Sequence, residues 1–432
     1  MPSTQLPAPR MDKAMAAVMI AGMCTFLNVY PTQPLLPYLR QIFHASELQV
    51  SLTVSATIVA VALTSPFVGV LAERIGRKRV IVPSLLLLSI PTALAAISTS
   101  LHALIFWRFM QGVFVPGVVT VLLAYISEEW EGRGVGRAMA AYVSGSVMGG
   151  FLGRFLSGVI ATHWNWRATF VVLAAINFTG ALLVRSWLPL AKNFVKAEHF
   201  AHALADAMAH LRNPRMLANF GTGAAILFTL VGTFTYANFY LAAPPFHLNP
   251  AQLGSIFFVY LLGVVVTPIS GKFLDYYGFR HTAYLYCALM VAGQLLTLIR
   301  SLIAVIAGLA IFSTGVFIAQ AAATVQNGAI AGRGAPGERR ARRGGGTGAP
   351  GERGVRRGGG RGRSSAAGLY VTFYYLGGGL GATVTDWFWQ RAGWSGCAAL
   401  FGAMAFVSLG MAILSSRPTD QLHSEEAEVV AD

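Results

Sequence analysis

The chain has 432 residues, of which 55% are hydrophobic and 11% are charged, and its formal net charge is +15. Ordinary soluble domains contain roughly 45–50% apolar and about 25% charged residues, so this composition excludes a soluble globular protein and places the chain in a lipid bilayer. A nucleic-acid partner is not needed to explain the positive charge, because the distribution of basic residues fits a membrane topology.

Twelve apolar stretches, each long enough to cross about 30 Å of hydrocarbon, follow one another along the chain. They lie near 14–37, 48–72, 80–99, 102–127, 138–161, 168–188, 216–241, 252–274, 282–299, 302–328, 367–390 and 394–415. Six fall in each half, so the predicted fold is an all-α membrane protein of twelve transmembrane helices in two pseudo-symmetric six-helix bundles. Breaks within spans are expected at Pro91 and in the Gly-rich stretch after Leu376.

The two bundles are expected to comprise residues 1–188 and 216–416, joined by a cytoplasmic linker at 189–215 and followed by a cytoplasmic tail at 417–432. The charged, partly amphipathic linker predicts a surface helix. A Gly/Arg-rich segment at 333–364 contains GAPGERRARRGGGT followed directly by GAPGERGVRRGGGR. Because such a sequence cannot bury a core, it predicts a disordered cytoplasmic insertion or a sequence artefact, with an anionic-lipid or RNA contact as the alternative.

Basic residues are concentrated on one side of the predicted topology. Of the 32 Lys and Arg residues, 26 lie on the side of the N-terminus and only four on the other. The positive-inside rule then places both termini in the cytoplasm of a multi-pass protein of the cytoplasmic (inner) membrane. The cysteines Cys24, Cys287 and Cys397 all fall within spans, without the paired spacing of a metal site or a disulfide framework.

Two sequence patterns occur twice, which indicates an internal duplication. Pro66, Gly69, Glu73, Gly76 and Lys78 recur 202 residues later as Pro268, Gly271, Asp275, Gly278 and Arg280. A second pattern, at 142–153, recurs 228 residues later at 370–381. Duplicated halves of this kind are typical of transporters whose site and gates lie between the repeats.

These features together resemble the major facilitator superfamily, in its twelve-helix drug and sugar efflux branch. The loop signature Gly-x-x-x-Asp-Arg-x-Gly-Arg-Lys is similar to residues 69–78, with Glu73 in place of Asp, and the fourth-helix signature Arg-x-x-Gln-Gly matches Arg108, Gln111 and Gly112. The first-helix Pro-x-x-Pro matches Pro34 and Pro37. The fifth-helix antiporter signature is met in part by Gly145, Gly149 and Gly153, with Gly150 in place of Pro and Arg154 in place of the last Gly.

The resemblance implies a secondary active transporter that moves a small organic solute by alternating access, as proton-coupled efflux. An uptake carrier or facilitator for a small metabolite is the alternative, with a channel or sensor less favoured. No nucleophile elbow, His-Glu-x-x-His pair or P-loop is present in the sequence, so we do not expect an enzyme. We expect a monomer in the lipid bilayer with a small-molecule substrate, no nucleic acid, no metal, and no cofactor besides a proton gradient.

The duplicated loops are predicted to act as gates. The gating residues are Gly69, Glu73, Arg74, Gly76, Arg77 and Lys78 in the first copy and Gly271, Asp275, Gly278 and Arg280 in the second. Gly69 would allow two helices to approach closely, and Gly76 would permit a sharp turn. The resemblance implies that Glu73 holds the cytoplasmic side closed against the eleventh helix, and we expect Arg77 to pair with Glu128 or Glu129. Alternatively, the basic residues here serve topology alone.

Charged groups within spans are costly and therefore point to function. The candidates for coupling are Arg108, Arg154 and Asp386. Neither arginine has a basic counterpart in the second copy, and the resemblance implies that the fourth-helix arginine takes part in proton coupling. The alternatives are an arginine that only connects helices through their carbonyl groups and, for Asp386, a simple helix-end acid.

Polar and aromatic residues on presumed cavity helices could supply a few polar contacts in an apolar wall. The candidates are Asn28, Tyr30, Gln33, Gln111, Asn219, Tyr236, Asn238, Gln320 and Gln326. The alternative for each is a plain contact between helices.

Overall fold

The computed structural model describes residues 8–130, 133–191, 208–333 and 352–416, and every regular element in these ranges is helical. The first half contains α1 (Ala8–Val29), α2 (Leu36–Phe43), α3 (Glu47–Ile75), α4 (Arg77–Ala95), α5 (Leu101–Phe114), α6 (Pro116–Glu129), α7 (Arg133–His163) and α8 (Trp166–Trp187). The second half contains α9 (Pro214–Ala242), α10 (Pro250–Ile256), α11 (Leu262–Leu296), α12 (Leu302–Arg333) and α13 (Glu352–Ser416). Short 3-10 turns occur at Gln33–Leu35 and Phe257–Leu261.

Ten helical segments of the described residues are long and apolar enough to cross a membrane, and two of them are long enough to cross twice. These two comprise Pro250–Leu296, with 47 residues, and Ala366–Ser416, with 51, whereas one crossing needs about 20. Each contains a glycine with non-helical backbone angles, Gly278 (φ 76°, ψ 171°) and Gly393 (φ 57°, ψ −143°). Divided there, the described chain has the twelve crossings that the sequence predicts.

The breaks within spans differ from the predicted ones. Pro91 lies inside the unbroken helix α4, and the Gly-rich stretch after Leu376 lies inside α13. Neighbouring helices can satisfy the backbone groups that such residues release, so a proline or glycine does not have to interrupt a transmembrane helix. The fourth span is interrupted instead at Val115, because Pro116 supplies no N–H group and begins a new helix.

The second span of each bundle begins with the same capping arrangement. Ser46 accepts from the Gln49 backbone N–H and Gln49 reaches back to Ser46, while Asn249 and Gln252 form the same reciprocal pair 203 residues later. Such a cap stabilises a helix by about 1 kcal/mol. The duplication therefore extends to the helix starts.

The same helix crossing also occurs twice. Gly149 and Gly153 of α7 lie against the backbone of Met23 and Leu27 of α1, and Gly377 and Gly381 of α13 lie against that of Ala224 and Phe228 of α9. A Cβ atom at any of these four glycines would overlap the facing carbonyl oxygen. The pattern repeated in the sequence is thus a close helix contact that only glycine allows.

Both glycine loops emerge on one face of the helix bundle. The α1–α2 turn and the starts of α3 and α10 share the opposite face, called the far face here, where Arg40 and Glu47 line a pocket with Phe239 and Trp389. From there α3 runs to the turn at Gly76, and α10 with the first part of α11 runs a similar distance to Gly278. We call the face with these two turns the basic face.

The described contacts between the two bundles lie near the far face and in the middle of the spans, where Gly379 of α13 lies against Val59 of α3. Gly158 of α7 lies against the Pro250 carbonyl group, and the Ala251 N–H donates to Thr162 Oγ1 over 3.0 Å. Nearer the basic face, a Cβ atom added at Gly136 of α7 or at Gly271 of α11 would meet no other atom within 4 Å. The space between the bundles is therefore closed at the far face.

Two segments of the predicted organisation lie partly outside the described residues. Of the linker, 192–207 is outside, and of the Gly/Arg-rich segment, 334–351 is outside, as is the tail at 417–432. The structure differs from the expected disorder at 352–364, whose backbone forms the first turns of α13. Extending an existing helix costs far less than starting one, which offsets the weak helix propensity of glycine here.

Candidate functional site

Arg154 lies at the interface between the two bundles, on α7, at ~14 Å from its far end. The side chain is 2% exposed. Its Nε donates to Gln33 Oε1 over 2.7 Å and its Nη1 to the Gly150 carbonyl group over 2.6 Å. Within the described residues, the ion pairs are Arg40–Glu47 and Arg77–Glu128, so no carboxylate there neutralises Arg154.

Three aromatic rings surround the guanidinium group of Arg154. Its Cζ lies 4.4 Å from the ring centre of Tyr30, 4.7 Å from that of Phe257 and 4.5 Å from that of Tyr260. Tyr30 belongs to the first bundle, whereas the other two belong to the second. A cation over an aromatic face gains about 2 kcal/mol or more when it is desolvated. We call this group of Tyr30, Gln33, Arg154, Phe257 and Tyr260 the Arg154 chamber.

Two further tyrosines of α13 lie near these rings. Tyr374 lies close enough to Tyr30 and Tyr260 to interact with them electrostatically, and Tyr375 does the same with Tyr30. Both are buried. The chamber is therefore lined by aromatic residues from both bundles.

A hydrogen bond from Gln33 joins the chamber to α9. Its Nε2 donates to Thr235 Oγ1 over 3.2 Å, while its Oε1 accepts from Arg154. Gln33 is fully buried. The chain Arg154–Gln33–Thr235 thus connects both bundles on the side of the chamber that is closed.

Arg108 connects helices within the first bundle. Its Nε donates to the Thr53 carbonyl group over 3.0 Å, its Nη1 to that of Asn28 over 2.7 Å, and its Nη2 to that of Val29. The side chain is fully buried. These contacts match the alternative of an arginine bonded to helix carbonyl groups, and Arg108 remains near the chamber through its two contacts on α1.

Asn28 and Gln111 are held inside the first bundle, away from its interface with the second. Asn28 Nδ2 donates to Asn177 Oδ1 over 3.2 Å, and its Oδ1 accepts from Thr92 Oγ1 over 3.0 Å. Gln111 Nε2 donates to the same Thr92 over 2.8 Å, and its Oε1 accepts from Arg108. The hydrogen-bonding capacity of both amides is used between helices, so the structure does not place them in the chamber.

The cavity candidates of the second half have separate surroundings. Asn219 Nδ2 donates to the Ala323 carbonyl group over 3.1 Å, and Asn238 Nδ2 donates to the Phe234 carbonyl group of its own helix. Gln320 is half-buried on α12, and Gln326 Nε2 donates to the Ser415 carbonyl group over 3.1 Å. Of the predicted cavity residues, the structure brings Tyr30 and Gln33 to Arg154.

Asp386 and Tyr236 lie nearer the far face, at a second contact between the bundles. The Tyr236 hydroxyl group donates to Asp386 Oδ1 over 3.3 Å and lies within reach of Ser51 on α3. Close by, Gln390 Nε2 donates to Glu47 Oε2 over 3.4 Å. Asp386 therefore sits where α9 and α13 of the second bundle meet α3 of the first.

The predicted turns of the gating loops are present. Gly76 has φ +100° and Gly278 has φ +76°, values that side chains rarely tolerate. The expected pair of Arg77 with Glu128 is confirmed, with Nη2 at 2.6 Å from Oε1. Within the second loop, Asp275 is exposed and Arg280 Nε donates to Ser416 Oγ over 3.1 Å.

Other gating predictions have a different outcome. Gly69 and Gly271 have open space around them within 4 Å, so neither mediates a close helix approach in this conformation. Arg74 is exposed and Lys78 is half-buried, and the side chain of Glu73 lies outside the described residues.

Sequence reasoning missed most of the second bundle's contribution to the chamber. Phe257, Tyr260, Tyr374, Tyr375 and Thr235 were not among the candidates. The aromatic run at 257–260 and the spacing of Tyr370, Tyr374 and Tyr375 along one helix were the available signals. In the sequence, both groups of aromatic residues look like ordinary residues of a transmembrane span. Their position beside the buried charge of Arg154 is visible only in the structure.

Comparisons with known proteins agree with this architecture. A family model described as Major Facilitator Superfamily matches residues 18–346. The Inner membrane transport protein YnfM of Escherichia coli (strain K12) is 30% identical over 417 residues, covering 96% of this chain and 93% of that protein. The Uncharacterized MFS-type transporter YybF of Bacillus subtilis (strain 168) is 28% identical and covers 93% of each chain.

Among solved structures, the chain is similar to a bacterial homolog of the human lysosomal transporter Spinster, in an inward-facing and occupied conformation. The TM-score is 0.72 at 13% identity, with 95% of this chain and 98% of the other covered, which supports the fold alone. The predicted all-α fold is confirmed. The relatives are described as transporters, which confirms that the chain is not an enzyme.

Proposed function

Because the chain belongs to the Major Facilitator Superfamily, we propose that this transporter exports a small organic solute from the cytoplasm in exchange for protons, with the Arg154 chamber as its binding site. The observation that carries the proposal is the interface itself. The two bundles contact each other beside the chamber at the far face, whereas a Cβ atom added at Gly136 or Gly271, nearer the basic face, would meet no atom within 4 Å. If the basic face opens, a solute that enters there would meet a site built from both bundles.

Alternating access follows from breaking one set of contacts and forming another. The contacts to break are those of Gly158 with Pro250 and of Gln33 with Thr235. The contacts to form would bring together the basic ends of α3, α7 and α11, where Gly69, Gly136 and Gly271 now face open space. Glycines at these positions allow close approach once the bundles rotate.

The direction of export depends on orientation and coupling. The excess of basic residues on the basic face supports a cytoplasmic location of that face, and in this orientation an opening there would receive a solute from the cytoplasm. Asp386 is the best candidate for the proton carrier, since within the described residues it is the acid that lies inside a span, seven residues before the break at Gly393, and at the bundle interface. Protonation would remove its charge and alter its bond with Tyr236.

Uptake of a small metabolite is the second candidate, because the same geometry serves transport in either direction. A similarity of 30% over 135 residues to the Multi-drug resistance efflux pump PmrA of Streptococcus pneumoniae covers 31% of this chain. It supports export without defining the solute.

The deciding experiment measures solute accumulation in membrane vesicles. Everted and right-side-out vesicles containing the protein, and vesicles lacking it, receive a panel of labelled organic solutes with or without an uncoupler. Export predicts saturable, uncoupler-sensitive accumulation in everted vesicles. The same accumulation in right-side-out vesicles supports uptake, whereas flux that neither saturates nor responds to the uncoupler in either preparation contradicts a coupled transporter.

A further inference from the structure

We propose that the substrate is an organic anion with an aromatic or planar body, whose carboxylate or similar acidic group binds Arg154. This inference rests on the proposed function, since it assigns a chemical class to the solute of the same site. It starts from a guanidinium group that is almost fully buried and lies at the interface of two bundles that must separate for transport.

The charge of the site is positive and uncompensated. Within the described residues, Arg154 has no carboxylate within ion-pair distance, and the acids nearest the far face have other partners. Glu47 pairs with Arg40 at 3.0 Å, and Asp386 accepts from Tyr236. Charged groups inside a membrane normally pair with each other or line a substrate path. An uncompensated cation in this position therefore favours an anionic ligand over a cationic one.

A second cation adds to this potential. Arg108 binds the carbonyl groups of Asn28 and Val29, directly before Tyr30, whose ring lies under Arg154. The segment 28–33 therefore has one buried guanidinium group on each side. At low local dielectric, both charges act on any ligand in the chamber.

Arg154 also keeps hydrogen-bonding capacity for a ligand. An arginine has five N–H donors, and the described contacts use three of them, on Gln33, Gly150 and Tyr260. The contact with the Tyr260 hydroxyl group is long, at 3.5 Å. A carboxylate could replace that contact and use the remaining Nη donors in a two-bond arrangement, which is the strong geometry for this pair.

The rings around the charge indicate the rest of the ligand. Tyr30, Phe257 and Tyr260 present apolar surfaces beside the guanidinium group, and Tyr374 and Tyr375 lie near them. Aromatic rings in offset or edge-to-face arrangements attract one another. A planar apolar body attached to an acidic group thus matches both parts of the chamber.

The test uses ligands that share a ring system and differ in the polar group, which is anionic, neutral or cationic. Benzoate, benzamide and benzylamine share one ring, and indole-3-acetate, indole-3-acetamide and tryptamine form a second set with a larger body. Thermal unfolding of the purified protein is followed against the concentration of each compound. We expect saturable stabilisation by an anion of at least one set, little by its amide and none by its amine.

Variants locate the effect. Arg154→Gln should weaken anion binding about tenfold or more, since a charge-assisted bond is lost, and Arg154→Lys should retain part of the affinity because the charge remains. The control is Arg391→Gln, at an exposed arginine on α13, which should bind anions as the unmodified protein does. If Arg154→Gln does not fold, the proposal is tested by two other results. These are the preference of the unmodified protein for anions over amides and amines, and the reduced anion affinity of Arg154→Lys.

A preference for the amine or amide, equal anion affinity in a folded Arg154→Gln protein, or no response to either anion would overturn the proposal. Vesicle transport of the same compounds separates this from the proposed function. Saturable, gradient-driven transport of an amine would leave the transporter function intact and refute the anion class. Anion binding that depends on Arg154, without gradient-driven flux of any compound, would support the anion class and contradict the proposed coupled transport.

Discussion

Arg154 and Gln33 form a 2.7 Å hydrogen bond between α7 and the turn that follows α1, and Gln33 passes the connection on to Thr235 of the other bundle. One glutamine amide therefore bonds both to the guanidinium group of the candidate substrate site and, across the far face, to the other bundle. Binding at Arg154 and opening of the far face are thus physically connected through Gln33.

Replacing Gln33 should weaken the closed far face. Gln33→Leu removes the acceptor of Arg154 Nε and the donor to Thr235, and the loss of a hydrogen bond to a charged group costs about 1.5–3 kcal/mol. We expect faster thiol labelling from the far side of Leu253→Cys, a position on α10 that is buried in the closed state, in a protein without its native cysteines, and slower transport. Thr235→Val removes only the second bond and should have a smaller effect. Unchanged labelling in Gln33→Leu would show that this bond does not hold the face closed.

Gly158 is expected to be essential for closing the far face. In Gly158→Ala the added methyl group would overlap the Pro250 carbonyl oxygen, so the bundles cannot reach the closed state. We expect transport to fall by at least about tenfold, an energy of about 1.4 kcal/mol, while the protein still folds. Gly402→Ala on α13, where an added methyl group meets no atom within 4 Å and which belongs to neither gate, serves as the control. Equal transport by the two variants would contradict the proposed gate.

The two glycines of the first gating loop should respond differently to alanine. Gly76→Ala places a side chain at φ +100° and should lower the free energy of unfolding by about 1–3 kcal/mol. Gly69→Ala should leave stability unchanged, since the site is open, but slow transport if the basic face closes there. Thermal unfolding and vesicle transport, measured on both variants, distinguish these effects. Full transport by a stable Gly69→Ala protein would argue against close approach at this position.

Asp386→Asn should uncouple transport from the proton gradient. Asparagine can still accept the hydrogen bond from Tyr236 but cannot release a proton. Exchange of labelled for unlabelled solute across vesicles should therefore continue, while gradient-driven accumulation should fall to the level seen with an uncoupler. Glu47→Gln, which removes the acid of the ion pair with Arg40, is the matched control. Gradient-driven accumulation by Asp386→Asn would exclude it as the proton carrier.

Arg108 should matter first for stability. Arg108→Lys keeps the charge but cannot reach the carbonyl groups of Thr53, Asn28 and Val29 together. Each buried acceptor left without a donor costs about 1–3 kcal/mol, so we expect a lower midpoint of thermal unfolding. Substrate affinity per folded molecule should change little. A variant with normal stability and lost coupling would instead support the role that the family resemblance implies.

The number of spans and the duplication could be predicted from the sequence because both depend on local patterns. Apolar length determines a crossing, and repeated glycines mark repeated helix contacts, as at Gly153 and Gly381. The turn at Gly76 was predictable for the same reason, since glycine alone accepts its backbone angles.

The chamber was predictable only in part, because it depends on which face of each helix meets the other bundle. Arg154 was identifiable as a costly charge within a span. Asn28 and Gln111 carry equally polar side chains, yet their partners Asn177 and Thr92 lie in other spans of their own bundle. Without the crossing angles, a residue that connects helices and one that faces a ligand have the same signature in the sequence.

The glycines of α7 serve two different neighbours. Gly145, Gly149 and Gly153 hold the helix against α1 of its own bundle, while Gly158, slightly further along, lies against Pro250 of the second bundle. Helix α7 therefore packs within its own bundle over most of its length and makes its contact with the other bundle near its far end. Substitutions near Gly158 could therefore change the lifetime of the state with a closed far face, and with it the rate of transport, without changing the residues that bind the substrate.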